Sequence, residues 1–218
     1  MVSELRVLLG DDHTVLRQGL RKILEDRRDW RVVAEAGNGR DAVREALDLK
    51  PDVAVLDIGM PLLNGIEATR QIVRRGAPST RVVILSMHSD QAYVTQAVHA
   101  GARGYVLKES AGEELIEAIS TVVAGGTYFS PAVAQLVFDD YVRGLSDRGI
   151  HDRYDLLSDR EREVLQLVAE GRSSKEIADL LSISPATVET HRTHVLQKLG
   201  LRNTAEVVRY AARRGIVT

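Results

Sequence analysis

Val53-Ala54-Val55-Leu56-Asp57-Ile58-Gly59-Met60-Pro61 is the stretch on which the fold turns. Its four consecutive apolar residues are too few for a helix and do not alternate with polar ones, as expected of a strand buried on both faces. The run ends on an aspartate. Met60-Pro61 then marks a turn, because proline disfavours helical backbone at the residue before it. Runs of the same kind recur on either side: Val7-Leu8-Leu9, Val32-Val33-Ala34, Val82-Val83-Ile84-Leu85 and Tyr105-Val106-Leu107. Between them lie amphipathic helical patterns. Leu16, Leu20, Ile23 and Leu24 share one face of the first, and Leu115, Ile116, Ile119, Val122 and Val123 one face of the last. Five strand–helix units predict an α/β doubly wound five-stranded parallel sheet with helices on both faces. Ligands of such sheets bind beyond the carboxyl ends of the strands.

Polar residues stand at those ends. Asp11 and Asp12 follow the first strand, Asp57 ends the third, Ser86 the fourth, and Lys108 follows the fifth. Three carboxylates gathered on one rim repel unless a positive charge joins them. Mg²⁺ on a few carboxylates, with waters and a phosphate oxygen completing its shell, meets that need. Lys108 adds a charge and Ser86 a donor for a phosphoryl group, and an aspartate is a competent nucleophile toward phosphorus. Any one of these aspartates alone reads as a helix cap. It is the set of five at five strand ends that points to chemistry. A hydrolase with an aspartyl nucleophile would need an acid/base aspartate two residues on, and position 59 is glycine. His13 and His88 lie near the same rim as neighbours rather than ligands of an oxygen-rich site.

Composition narrows the classes further. Of 218 residues 44% are hydrophobic and 28% charged, with net charge −2, so bulk charge gives no polyanion-binding signature. Residues 1–154 carry 19 basic and 22 acidic side chains (net −3), and residues 155–218 carry 10 and 9 (net +1). Cysteine is absent, which excludes disulfides, thiolate metal sites and a cysteine nucleophile. Neither a signal peptide nor a membrane-length apolar run is present in the sequence, so a soluble, cytoplasmic protein with no membrane contact is expected.

Residues 128–154 read as a linker. A helix through Val133, Leu136 and Val137 is expected in its first part, then charges broken by Gly144 and Gly149. From Leu156 onward the pattern is that of a small all-α four-helix domain. Ser158 or Asp159 caps a helix carrying Val164, Leu165 and Val168, and Ser173 or Ser174 opens a short one carrying Ile177, Leu180 and Leu181. Ser184-Pro185 starts a third that stops at Gly200, and a fourth spans about 204–214. On a helical wheel the third has Val188, Val195 and Leu199 behind, and Ala186, Glu189, Thr190, Thr193 and Gln197 in front. An apolar back and a short polar front suit a helix laid in a DNA major groove. A plain helical bundle with a solvated face has the same pattern.

Two resemblances then become specific. Leu9-Gly10-Asp11-Asp12-His13, Asp57 through Gly65, Leu85-Ser86 and Tyr105-Val106-Leu107-Lys108 resemble the flavodoxin-like receiver domain of two-component response regulators. Leu157 through Leu165, Gly171 through Ala178, and Thr187 through Gly200 resemble the LuxR-type helix-turn-helix. Together they look like the NarL/FixJ subfamily: a receiver at 1–127, the linker, and a DNA-binding domain at 155–218. The resemblance implies a transcriptional regulator rather than an enzyme, phosphorylated on Asp57 by a sensor histidine kinase. Asp12, Asp57 and the Gly59 carbonyl would hold Mg²⁺ directly, and Asp11 through a water. Lys108 would grip the phosphoryl group, with Ser86 and Tyr105 as the switch pair. It also implies double-stranded promoter DNA as ligand, a homodimer formed on phosphorylation or DNA binding, and RNA polymerase as a candidate partner. Glu189, Thr190 and Thr193 are the expected base readers. Ser173, Ser174, Lys175, Thr187, Arg192, His194 and Lys198 are candidates for phosphate contact, and Val207, Val208 and Ala211 for pairing between protomers.

Overall fold

Alternate side chains along the short apolar runs feed two cores, one on each face of a sheet. The computed structural model describes residues 4–75, 79–134 and 153–217. The chain divides into two compact units, Met1–Ser146 and Asp147–Thr218. In the first, strands β1 (Leu5–Gly10), β2 (Trp30–Ala36), β3 (Val53–Asp57), β4 (Arg81–Ser86), β5 (Gly104–Leu107) and β6 (Tyr128–Phe129) alternate with helices. These are α1 (Thr14–Glu25), α2 (Gly39–Leu49), α3 (Gly65–Arg74), α4 (Gln91–Ala100) and α5 (Ala111–Val123). Strand order is β2-β1-β3-β4-β5-β6, and every pairing is parallel.

The five expected strands all form, and the sheet gains a sixth. Tyr128–Phe129 pairs with Gly104 and Tyr105 at the β5 edge, inside the stretch read from sequence as linker. Two residues are too few to show periodicity, so only the partner strand discloses them. Residues 131–134 are helical and Val133 is buried; the rest of the expected linker, 135–152, lies outside the described residues.

Period two sorts the cores. Leu8, Ala54, Leu56, Val82, Ile84 and Tyr105 point to one face, with Ala42, Ile66, Ile72, Val94 and Ala97 from α2, α3 and α4. Val7, Leu9, Val53, Val55, Val83, Leu85 and Val106 point to the other, under Leu20, Leu24, Leu115 and Ile119 from α1 and α5. Because β3 is covered on both sides, its C-terminal Asp57 is 5% exposed.

In the second unit a short 3₁₀ turn (Arg153–Leu156) precedes α6 (Asp159–Ala169), α7 (Ser174–Leu181), α8 (Pro185–Leu199) and α9 (Thr204–Arg213). Ser158 and Ser173 each close a capping box, with Glu161 and Glu176 respectively, so each satisfies two otherwise unpaired backbone or side-chain groups at a helix start. Ser184 caps α8 with Pro185 behind it, and Gly200 ends it at φ +71°. Tyr154 is buried between the guanidinium groups of Arg162 and Arg214, 5.0 and 4.9 Å from its ring centre, which fastens the 3₁₀ turn to α6 and the end of the chain. Among the described residues no helix is long and apolar enough to cross a membrane.

Two glycines give opposite expectations. A Cβ on Gly65, at the start of α3, would lie 2.1 Å from the Asp57 carbonyl oxygen, whereas one on Gly19 in α1 would meet nothing within 4 Å. Gly65→Ala should therefore cost about 2–4 kcal/mol by forcing α3 off the end of β3, comparable to a strained or overpacked core. Gly19→Ala should gain up to about 1 kcal/mol from helix propensity. Urea unfolding of the two variants checks both signs.

Candidate functional site

Parallel pairing brings the strand ends into one row. Asp57 is in register with Leu85, and Ser86 with Leu107, so Ser86 and Lys108 stand one residue past their neighbours on the same rim. Lys108 reaches back between two carboxylates: its Nζ lies 2.9 Å from Asp11 Oδ2 and 2.9 Å from Asp57 Oδ2. Side-chain exposure is 7% for Lys108, 2% for Asp11 and 7% for Asp57, so little water screens these charges. Asp12 is exposed, and His13 Nδ1 sits 2.8 Å from its Oδ1. Asp11, Asp12, His13 and Asp57 each present a ligand atom within 4.8 Å of the others. The sequence suggests His13 as a neighbour of this group; the fold brings a ligand atom of it among the carboxylates.

Charge dominates this geometry. Burial pushes the Asp57 carboxyl above its ordinary value, and the hydrogen bond and charge of Lys108 only partly offset that. Burial likewise pulls the Lys108 ammonium down, but Asp11 and Asp57 outweigh it and leave it above its usual value. Three carboxylates against one ammonium leave the rim short of positive charge, and a mainly oxygen donor set with that deficit fits a hard divalent cation. The Gly59 backbone N–H also bonds to the Asp57 carboxylate. Just beyond, Leu62 adopts φ +67° and the Leu63 N–H donates to the Pro61 carbonyl (2.8 Å), a tight turn with left-handed backbone at a branched residue.

Ser86 and Tyr105 meet through His88. The His88 N–H donates to Ser86 Oγ (2.9 Å), and the Tyr105 hydroxyl donates to the His88 carbonyl (2.7 Å). Tyr105 is fully buried against Val94 and Ala97 of α4. Burial raises its phenol well above the ordinary range, with a hydrogen bond from Ser86 acting the other way. The His88 ring stacks on Tyr93 at 4.5 Å. Sequence reading missed this use of His88 because backbone groups carry the link, and backbone has no residue-type signature.

On α8 the wheel's apolar back is buried at Val188, Val195 and Leu199, and Ala186, Glu189, Thr190, Thr193 and Gln197 are exposed. Thr190 and Thr193 hydroxyls donate to the carbonyls of Ala186 and Glu189, one turn back along the helix. Glu189 accepts from Ser174, and Arg192 bonds to Ser174 (2.8 Å) and Thr204 (3.1 Å). Arg192 is thus an internal tie between α7, α8 and α9, with its side chain 25% exposed. His194 and Lys198 are exposed but also reach Glu161, at 3.5 and 2.7 Å. Lys175, Thr187 and Ser173 remain exposed. Of the three residues expected between protomers, Val207 and Ala211 share one helix face and are buried within the unit; only Val208 is exposed. That expectation is corrected: α6 already covers the face it relied on.

Two family profiles match the chain: "Response regulator receiver domain" over residues 7–120 and "Bacterial regulatory proteins, luxR family" over residues 155–211. The transcriptional regulatory protein MctR of Rhizobium johnstonii is 41% identical over 215 residues, covering 99% of this chain and 96% of that one. The oxygen regulatory protein NreC of Staphylococcus carnosus is 37% identical over 216 residues, 98% and 99% of the two chains. A solved structure of two RcsB dimers bound to two parallel DNAs is similar at 27% identity and TM-score 0.57, covering 96% of this chain and 98% of that chain.

Two substitutions test the charge balance at each site. Asp57→Asn should stabilise the protein, in the absence of divalent cations, by on the order of 1 kcal/mol at neutral pH. Because the folded-state pKa is raised, the wild type loses stability as pH climbs from about 4 through that raised value, so the gap should open over that window and vanish below it. The Glu161 carboxyl is shifted the other way: burial pushes it up, but Lys198 and Ser158 outweigh this and hold it below its usual value. Its contribution is therefore present above the ordinary carboxylate range and lost as pH falls through the folded value. Lys198→Met should remove about 1–2 kcal/mol of stability, discounted for partial exposure, and flatten that acid limb. Thermal melts from pH 3 to 8, spanning the ordinary carboxylate range, read out both.

Proposed function

The chain belongs to the NarL/FixJ-type response regulators of two-component systems, a receiver followed by a LuxR-type DNA-binding domain, and we propose that Asp57 is its phosphoacceptor and phosphorylation its switch for promoter binding. Members of this family are transcriptional regulators, not enzymes. The observation that carries the proposal is the placing of Lys108 Nζ at 2.9 Å from both Asp11 and Asp57.

In this reading an Asp57 oxygen attacks the phosphorus of a phosphohistidine on a sensor kinase. The new P–O bond forms as the P–N bond breaks, and the histidine nitrogen leaves with the electron pair and takes up a proton. Lys108, already between Asp11 and Asp57, is placed to follow the negative charge onto the phosphoryl oxygens. Asp12, Asp57 and the Gly59 carbonyl would hold Mg²⁺, with Asp11 acting through a water. The ion would offset the charge of the carboxylates and of the incoming phosphoryl group. Ser86 turns its hydroxyl toward the phosphoryl group and so gives up its bonds to Tyr105 and His88. Because Tyr105 packs under α4, that loss biases the face formed by α4, β5 and α5.

The output is DNA binding by α8, with Glu189, Thr190 and Thr193 reading bases. Glu189 accepts from a cytosine amine, and the threonine methyls touch thymine. Lys175, Thr187 and Ser173 meet phosphates, while Arg192, His194 and Lys198 act there only by exchanging their internal partners. A homodimer formed on phosphorylation or on DNA supplies a second half-site, with Val208 the exposed apolar residue of α9. RNA polymerase is the partner a promoter-bound regulator meets next.

The test is duplex binding before and after treatment with phosphoramidate and Mg²⁺. Affinity should rise in the wild type and stay flat in Asp57→Ala. Tyr105→Phe should accept phosphate normally but gain less affinity, and Glu189→Ala should alter base preference by about 1–3 kcal/mol at one position. Identical binding by wild type and Asp57→Ala under both conditions refutes phosphorylation control.

A further inference from the structure

The DNA-binding unit holds a second cluster of ligand-type side chains, built around Glu161. Glu161 on α6 and His191 and His194 on α8 each offer one donor atom, and the three lie within 4.8 Å of one another. The two histidines are three residues apart, hence on one side of the helix. The two oxygens of Glu161 differ in their commitments. Oε2 receives the Ser158 N–H at 2.7 Å and the Lys198 ammonium at 2.7 Å. Oε1 faces His194 Nδ1 at 3.5 Å, beyond ordinary hydrogen-bond length. His191 Nδ1 is a buried atom with no hydrogen-bond partner among the described residues, an unfavourable state for a polar group that a ligand would relieve.

We infer that Glu161, His191 and His194 form a binding site for a borderline transition-metal dication, Zn²⁺ foremost, joining α8 to α6. Two imidazoles and a carboxylate make the donor set of a three-ligand zinc centre, with a fourth position open to water. The receiver rim, with three carboxylates and one imidazole, is chemically distinct and favours a harder ion. Lys198 and the Ser158 N–H stay on Oε2 as outer partners that orient the ligating carboxylate. Lys198 also places a positive charge beside the site, so affinity should be moderate rather than that of a structural zinc finger.

A bound dication has two consequences. It stabilises the folded unit by mass action, because the unfolded chain does not hold the three donors together. It also holds His194 against α6 and adds positive charge on that flank of α8. If α8 is the recognition helix, as proposed above, metal then adjusts DNA affinity; the metal site itself does not depend on that reading.

The experiment titrates Co²⁺ and then Zn²⁺ into the full-length protein with excess Mg²⁺ present to occupy the receiver rim. One Co²⁺ per chain should give a visible ligand-field band that Zn²⁺ displaces. His194 is half exposed, with 49% of its side chain accessible, so His194→Asn should keep the fold and weaken Co²⁺ binding by about tenfold or more. In the wild type, the ring resonances of both His191 and His194 should shift on adding Zn²⁺. An unchanged Co²⁺ affinity in His194→Asn, or a loss of affinity in His13→Asn instead, overturns the inference, as do unmoved His191 and His194 resonances.

Discussion

Lys108 is the counter-charge on which the receiver site depends. Its ammonium lies 2.9 Å from each of two buried carboxylates, Asp11 and Asp57, with Asp12 beside them. Removing the Lys108 ammonium would leave both carboxylates buried without a counter-charge, a loss of about 3–5 kcal/mol; removing one carboxylate still leaves the ammonium paired with the other. The cluster is therefore not a stabilising ornament. It is an arrangement short of positive charge, held in place by a sheet stable enough to tolerate it. That shortage is a charge deficit that a hard divalent cation would offset.

A hydrogen-bonded route leads away from the rim. Ser86, the peptide of His88 and the Tyr105 hydroxyl form one hydrogen-bonded chain, and Tyr105 belongs to the same core as Val94 and Ala97 of α4. A hydroxyl that leaves one end of this chain removes partners from a buried phenol at the other. Close packing passes such a change on, since a core without voids cannot absorb it locally. The DNA-binding unit has its own anchor in Glu161, which caps α6 and pairs with Lys198 of α8. One buried carboxylate thus sets the relation between the scaffold helix and the helix whose polar face is offered to solvent.

Much of this was legible in the sequence, for identifiable reasons. Burial on both faces makes β3 a continuous apolar run, and a parallel sheet places every strand's carboxyl end on one rim, so Asp11, Asp12, Asp57, Ser86 and Lys108 group together on sequence alone. The starts of α6, α7 and α8 were legible because capping is a local interaction of serine with the next turn. The two-residue β6 was not, because it exists only through pairing with β5. The partner of Val207 and Ala211 is not legible for a related reason. An amphipathic helix announces that it has an apolar face, but not whether that face meets its own unit or a second copy.

Local propensity and periodicity were enough for the succession of the first five strands and their helices, the places where α6, α7 and α8 begin, and the identity of the residues at the strand ends. The tertiary structure alone decided which of those residues touch. It put Lys108 between Asp11 and Asp57, brought His13 into the carboxylate group, and linked Ser86 to Tyr105 through a backbone peptide. It also gave Arg192, His194 and Lys198, candidates for phosphate contact, partners within their own unit: Ser174 and Thr204 for the first, Glu161 for the other two. Long flexible side chains choose partners across tens of residues, and only the packed chain fixes which partner is within reach.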